Sequence, residues 1–330
     1  MERLNSKFFL SLLFSATLVL SLVLGVLFLE GGDDPTPSLS QFETNSQEHS
    51  LTFNGSRAWD YLVQQVELGF RYPGSSEIQQ ARILYVKTLL SLGWVVEFHN
   101  FTHLGIDSVN ILAFPENGSR EGVVLFGAHY DTRWHADRDP VLSNQTQPVL
   151  GANDGASGVA ILLELAHVYS NSSGVALLFI DAEDQGGIDG WRYIHGSRQF
   201  VDEAVLGQFF PNGKADISAF ILFDMIGDWD LNIHKEGNSD PTLMDEIWTV
   251  AHELGYGDAF PLSQKYTMVD DHVPFVEAGI PAVDLIDFDY VDENGWNLHH
   301  TTRDVLEYVA EDSLWKVGQT TELWFQNRSR

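Results

Sequence analysis

The chain has 330 residues, 44% hydrophobic and 12% aromatic, enough to bury the core of one large domain with a short appendage. Its 47 acidic against 18 basic residues give a formal charge of -29, which argues against nucleic acid as a partner and disfavours docking on anionic lipid, since both need clustered Lys and Arg. There is no Cys, so disulfides and thiolate chemistry are excluded, and any metal must sit on His, Asp and Glu.

The first predicted element is Phe8 to Leu29, a run of 22 residues without a charge, long enough for a helix to cross a bilayer. Arg3 and Lys7 precede it, and Glu30, Asp33 and Asp34 follow. This polarity predicts a cytoplasmic tail over 1–7, an uncleaved transmembrane signal anchor over 8–29, and a domain held on the membrane outside the cytoplasm. Residues 30–50, rich in Gly, Pro, Ser, Thr and acids, read as a flexible stalk, so the folded domain is expected over 51–330. Asn-x-Ser/Thr sequons at Asn54, Asn100, Asn117, Asn144, Asn171 and Asn327 agree with a glycosylated domain outside the cytoplasm.

Helical spacing of apolar residues predicts helices over Ala58 to Phe70 and Glu77 to Leu92, the second closing at Gly93. Short apolar runs follow at Val95 to Phe98, Val109 to Phe114, Val123 to Ala128, Val175 to Asp181, Ala219 to Asp224 and Ala282 to Ile286. Helical stretches at Gly158 to Tyr169, Thr242 to Leu254 and Ala310 to Phe325 are interleaved with them. Strands without polar alternation are buried on both faces, which predicts an α/β fold with a largely parallel sheet between helical layers.

Three of these runs stop at acids or His: His129-Tyr130-Asp131, Asp181-Ala182-Glu183-Asp184 and Asp224-Met225-Ile226-Gly227-Asp228. Ligands of open α/β sheets bind at the carboxyl ends of strands, so these groups should converge. Converging carboxylates repel unless a cation neutralises them, and a mixture of imidazole and carboxylate points to zinc. Gly151 to Gly158 places Asp154 in a turn of small residues just before a helix, and His299-His300 offers further imidazoles.

In this order, His-x-Asp, Gly-Ala-Asn-Asp-Gly-Ala-Ser-Gly, Ala-Glu-Asp, Asp-Met-Ile-Gly, Asp-Asp-His-Val-Pro-Phe and His-Thr-Thr-x-Asp resemble metallopeptidase family 28, the zinc aminopeptidase and glutaminyl cyclase superfamily. The likeness covers residues 120 to 330 and is nearest to bacterial-type glutaminyl-peptide cyclotransferases through Ala-Glu-Asp-Gln-Gly, Asp270-Asp271-His272 and Ile280 to Asp284. It implies a three-layer, zinc exopeptidase-like sandwich around a mixed, mostly parallel sheet. It also implies that Asp154, Asp184 and His300 hold one zinc tightly. His129 and Asp224 would hold a second ion with Asp154 bridging, and Asp131 would orient the His129 imidazole.

The same resemblance makes Glu183 the general acid/base and Asp224 with Asp270 a proton-relay pair, with Trp191 and His272 expected at the substrate pocket. The implied substrate is the amino-terminus of a peptide or protein. Aminopeptidases of the family usually carry Ser where Asp270 stands, which favours cyclisation of amino-terminal Gln over hydrolysis of the first peptide bond. One departure is His299, since cyclases usually have Trp before the last zinc His. A binding ectodomain without activity is a remote alternative, because every ligand and the base are kept. An acidic pair such as Glu183-Asp184 is ordinarily a solvated loop in so acidic a chain, and its place after a buried strand is what lifts it. His135, His167, His195, His234 and His252 have no such support.

Overall fold

Six strands build the central sheet of the computed structural model, which describes residues 50–329. They are β1 (Trp94–His103), β2 (Ile106–Pro115), β3 (Val123–His129), β4 (Val175–Ile180), β5 (Ile217–Asp224) and β8 (Ala282–Ile286), with β6 (Lys235–Glu236) and β7 (Gln264–Tyr266) forming a separate ribbon. The order across the sheet is β1-β2-β4-β3-β5-β8. β3 pairs in parallel with both β4 and β5, and β5 with β8, whereas β2 runs antiparallel to β1 and β4. The antiparallel edge is a hairpin closed by Leu104 and Gly105, both at positive φ as a tight two-residue turn demands. The expected sandwich with a mixed, mostly parallel sheet is therefore what forms.

Every residue of β3, β4 and β5 except Ser218 is buried, because helices cover both faces. On one face lie α1 (Gly55–Leu68), α2 (Ser76–Ser91), α3 (Ala156–Val168), α6 (Pro241–Glu253) and α8 (Glu311–Arg328), packed into one large apolar cluster. The other carries α4 (His195–Phe200), α5 (Glu203–Phe209) and α7 (His272–Glu277), which drive Phe200, Phe209 and Phe275 against Leu125, Leu178 and Phe220. α1 starts earlier than its apolar period suggests, since the Asn54 side chain accepts the Arg57 N–H as a cap. α3 is apolar nearly all round and sits between the sheet and the outer helices. At Gly158 it approaches so closely that an added Cβ would lie 2.2 Å from the Phe223 carbonyl oxygen.

The expected transmembrane helix is not part of this architecture. Among the described residues no helix is long and apolar enough to cross a membrane. The 8–29 run that carried the expectation lies outside the described residues, as do the 1–7 tail and all but the end of the 30–50 stalk. The fold class is corrected to the sandwich alone, and the membrane as a partner and an anchored location outside the cytoplasm are withdrawn with it. Length and charge asymmetry give a segment the capacity to span a bilayer, and no packed element here realises it.

Candidate metal centre

β3, β4, β5 and β8 end at the same edge of the sheet, and the acidic and His residues that follow them meet there. Left-handed backbone at Ala182, Met225 and His300 turns the chain sharply beside Glu183, Asp224 and His300. Such conformations are costly in non-glycine residues and collect at functional sites. His129 Nε2 lies 3.1 Å from Asp154 Oδ1 and 3.2 Å from Asp224 Oδ1. Its Nδ1 donates to the Asp131 carbonyl oxygen at 3.1 Å, which leaves Nε2 as the nitrogen turned to the centre.

Across Asp154, His300 Nε2 stands 2.7 Å from Asp184 Oδ1 and 3.7 Å from Asp154 Oδ2, while His299 Nε2 is 3.5 Å from the same Asp154 oxygen. Two sets of buried donors result, His129-Asp154-Asp224 and Asp154-His299-His300, with Asp154 common to both. The donor chemistry fits a divalent cation: imidazole nitrogens and carboxylates converge, and the buried Asp184 Oδ2 has no hydrogen-bond partner among the described residues.

Supporting groups fix these ligands. The Asp131 carboxylate accepts the backbone N–H groups of Glu183 and Asp184 at 3.0 and 3.2 Å, tying the end of β3 to the end of β4. Asp304 accepts the N–H groups of Asn153 and Asp154 and the Tyr290 hydroxyl, clasping the loop that presents Asp154. Arg133 is buried and donates to the carbonyls of Asp184 and Gly186. At Gly155 an added Cβ would fall 2.5 Å from the His129 carbonyl oxygen, so the Asp154 turn can approach β3 only with glycine there.

Electrostatics separate the carboxyl groups. Asp154 stays below the usual carboxylate range although burial opposes its charge, because His129, His299 and His300 surround it. His129 is raised well above its ordinary value: burial disfavours the charged ring, but Asp131, Asp154 and Asp224 outweigh it. Burial raises Glu183 well above the usual range, with Asp184, Asp270 and Asp271 adding to it against the pull of His129. Burial and the neighbouring Asp224 push Asp270 up to about 8, and burial raises Asp224 as well. Neighbouring buried carboxyls resist being charged together.

The cleft over the centre has a volume of about 230 Å³, room for one side chain, and Asp154, Glu183, Asp184, Asp224, Asp270, His299 and His300 all line it. Its apolar wall comes from Met225, Met268, Val269, Ile286 and Phe288, with Arg138 and Tyr193 completing the lining. Trp191 and His272 are not in that lining. Trp191 packs edge-on to His103, and His272 is fully buried, 3.1 Å from Glu236 and 3.6 Å from Asp284. Five sequon side chains, Asn54, Asn100, Asn117, Asn171 and Asn327, are exposed; Asn144 is half-buried with its amide nitrogen on Asp139 and Thr302. Arg133, Arg138 and Glu236 escaped the sequence reading, and Asp304 was visible only as the last letter of His-Thr-Thr-x-Asp.

Comparison with known proteins accounts for this arrangement. The family model for peptidase family M28 matches residues 110–324. Among solved structures, a glutaminyl cyclase of Tannerella forsythia is 30% identical with a TM-score of 0.74, covering 84% of this chain and 99% of that one. A leucine aminopeptidase precursor of Bacteroides thetaiotaomicron is 28% identical with a TM-score of 0.73, covering 83% and 97%. A glutaminyl-peptide cyclotransferase-like protein of Bos taurus is 26% identical over 265 residues, and the match spans 70% of this chain but 66% of that protein.

Proposed function

We propose that this chain, which belongs to peptidase family M28, is a zinc-dependent glutaminyl-peptide cyclotransferase that converts amino-terminal Gln to pyroglutamate and releases ammonia. The observation that carries the reading is Asp270, a buried carboxyl that lines the cleft together with Asp224 and Glu183. Asp154, Asp184 and His300 would hold one zinc tightly, and the ion would supply a Lewis acid for the side-chain carbonyl. The Glu183 carboxylate takes a proton from the α-amine as nitrogen attacks the side-chain carbonyl carbon, then returns it to the departing ammonia. The proton shared by Asp224 and Asp270 keeps a further carboxylate charge from developing beside Glu183. Met225, Met268, Ile286 and Phe288 exclude water, and this favours the internal amine over hydrolysis.

A second reading is supported by one feature: His129, Asp154 and Asp224 form a complete second donor set. With two zinc ions, Glu183 would serve as base for a water attacking the first peptide bond, as in an aminopeptidase. Incubating the zinc-loaded chain with Gln-initiated and Leu-initiated peptides separates the two. Ammonia released from the first is expected; free Leu from the second, with no ammonia from the first, would overturn the cyclase reading. Glu183→Gln should abolish turnover while zinc remains bound, and activity surviving that change would remove Glu183 as the base.

A further inference from the structure

We propose that Arg138 fixes His299 as an N–H donor facing the cleft, making His299 a catalytic residue that holds the carbonyl oxygen of the reacting amide rather than a ligand of the metal. This rests on the cyclase reading above. A guanidinium has five N–H groups and no acceptor, so the 2.8 Å contact from Arg138 Nη1 to His299 Nδ1 leaves that ring nitrogen one role, acceptance. An imidazole whose Nδ1 accepts carries its hydrogen on Nε2. Ligation needs a lone pair on the nitrogen that faces the metal, and here that nitrogen bears a hydrogen.

The adjacent His300 has no such lock. Its Nδ1 is buried with no hydrogen-bond partner among the described residues, the Asp137 carboxylate being 3.9 Å away, so no cation forces it to accept and Nε2, the atom 2.7 Å from Asp184, is free to carry the lone pair. Two neighbouring rings, with centroids 3.5 Å apart, are thus distinguished by a cation that stands behind one and not the other.

The position of His299 is held as firmly as its tautomer. The Phe288 ring meets it edge-on with centroids 4.9 Å apart. Its backbone N–H donates to Asn297 Oδ1, and the Arg138 backbone N–H donates to the His300 carbonyl. Nε2 is 3.5 Å from Asp154 Oδ2, too far for a well-formed hydrogen bond, and it has no hydrogen bond to any of the described residues. His299 is 8% exposed and lines the cleft with Glu183 and Asp184.

An uncommitted N–H lining the cleft is suited to an oxygen that gains negative charge. The carbonyl oxygen does so as the α-amine adds, and a donor already in place stabilises it without reorganisation. A flat aromatic ring with one N–H and no free acceptor presents what an indole presents. The departure from Trp at this position is thereby compensated by a second residue, Arg138.

The test compares four variants of the zinc-loaded chain: H299L, H299W, R138M and the double variant R138M/H299W. H299L should lower kcat by about 10²-fold, the usual loss for one donor to a developing oxyanion, with KM and zinc affinity by chelator competition unchanged. H299W should restore most of kcat. R138M should lower kcat in the native background and have no further effect in the H299W background, since an indole needs no tautomer lock. Side-chain nitrogen NMR of the wild type should show His299 protonated at Nε2 and bare at Nδ1. Weakened zinc binding in H299L would overturn the proposal in favour of a ligand, and an equal R138M effect in both backgrounds would overturn the role of Arg138. Absence of ammonia release by the wild type would overturn the cyclase reading instead, while the NMR spectrum and the zinc titration still judge the donor assignment.

Discussion

Replacing Glu236 by Gln should destabilise the domain in a pH-dependent way. The Glu236 side chain, 1% exposed on β6, accepts the backbone N–H groups of Asn238, Ser239 and Met268 and the Ser239 hydroxyl, and lies 3.1 Å from His272 Nε2. Burial alone would raise its pKa, but His272 and the N–H groups outweigh this and bring it from an ordinary 4.5 to about 2. That displacement corresponds to about 3 kcal/mol favouring the folded state. Because the folded pKa is depressed, the contribution is complete above pH 4.5 and is lost as pH falls from there towards 2. Urea unfolding of wild type and E236Q at pH 7, 5, 4 and 3, both with a chelator so that metal loss cancels, should give a gap of about 3 kcal/mol at pH 7 that narrows below pH 5. A gap that stays constant down to pH 3 would refute the charge argument. Met268, Val269 and Asp270 line the cleft on the segment Glu236 secures, so zinc-loaded E236Q should also show a raised KM.

Gly158→Ala should cost about 1–3 kcal/mol or more in thermal unfolding, since its Cβ would lie 2.2 Å from the Phe223 carbonyl oxygen and 2.9 Å from Ala128 Cβ. Gly207→Ala in α5, with nothing within 4 Å of the new atom, should be neutral or stabilising by about 0.4–1 kcal/mol. Asp304→Asn should weaken zinc binding about 10–100-fold in chelator competition, because the clasp on the Asp154 loop is loosened; unchanged affinity would show that the loop is fixed without it. Asp270→Ser should raise affinity for a second zinc, read by calorimetry, while ammonia release falls. If the second zinc bound no more tightly, Asp270 would not control that position.

The strand ends were legible because β3, β4 and β5 are covered on both faces, so each reads as an unbroken apolar run and the first acid or His after it stands out. The helices α4, α5 and α7 were not. Each is six or seven residues long, too short to display a period, and is held by Phe200, Phe209 and Phe275 packing on the sheet. Glu236 looks like any acid in an acidic chain, since most of its partners are backbone amides, and these leave no trace in side-chain pattern. In sequence His299 and His300 are adjacent imidazoles told apart only by the family resemblance, whereas the contact that distinguishes the rings comes from Arg138, 161 positions away. Trp191 shows the same limit: an aromatic residue near the centre in sequence gives no direction, and this one turns towards His103.

Asp224 connects the two chemistries open to this centre. On one side it faces His129 Nε2 at 3.2 Å, within the second donor set; on the other it lines the cleft with Asp270. A cation held by His129, Asp154 and Asp224 needs the full charge of Asp224, and ligands must shed their protons to bind metal. A carboxyl at position 270, pushed up to about 8 by burial and by Asp224, retains a proton at neutral pH and keeps Asp224 engaged with it. The second cation and the shared proton therefore compete for one carboxylate. Under the proposed function, Asp270 would tilt this competition towards a single ion and a proton relay beside Glu183. With a hydroxyl at 270, no carboxyl is there to share the proton, Asp224 ionises, and the bridging geometry of Asp154 becomes usable for hydrolysis. Under the proposed function, position 270 would select between cyclisation and hydrolysis through the ionisation of its neighbour, without having to contact the bond that breaks.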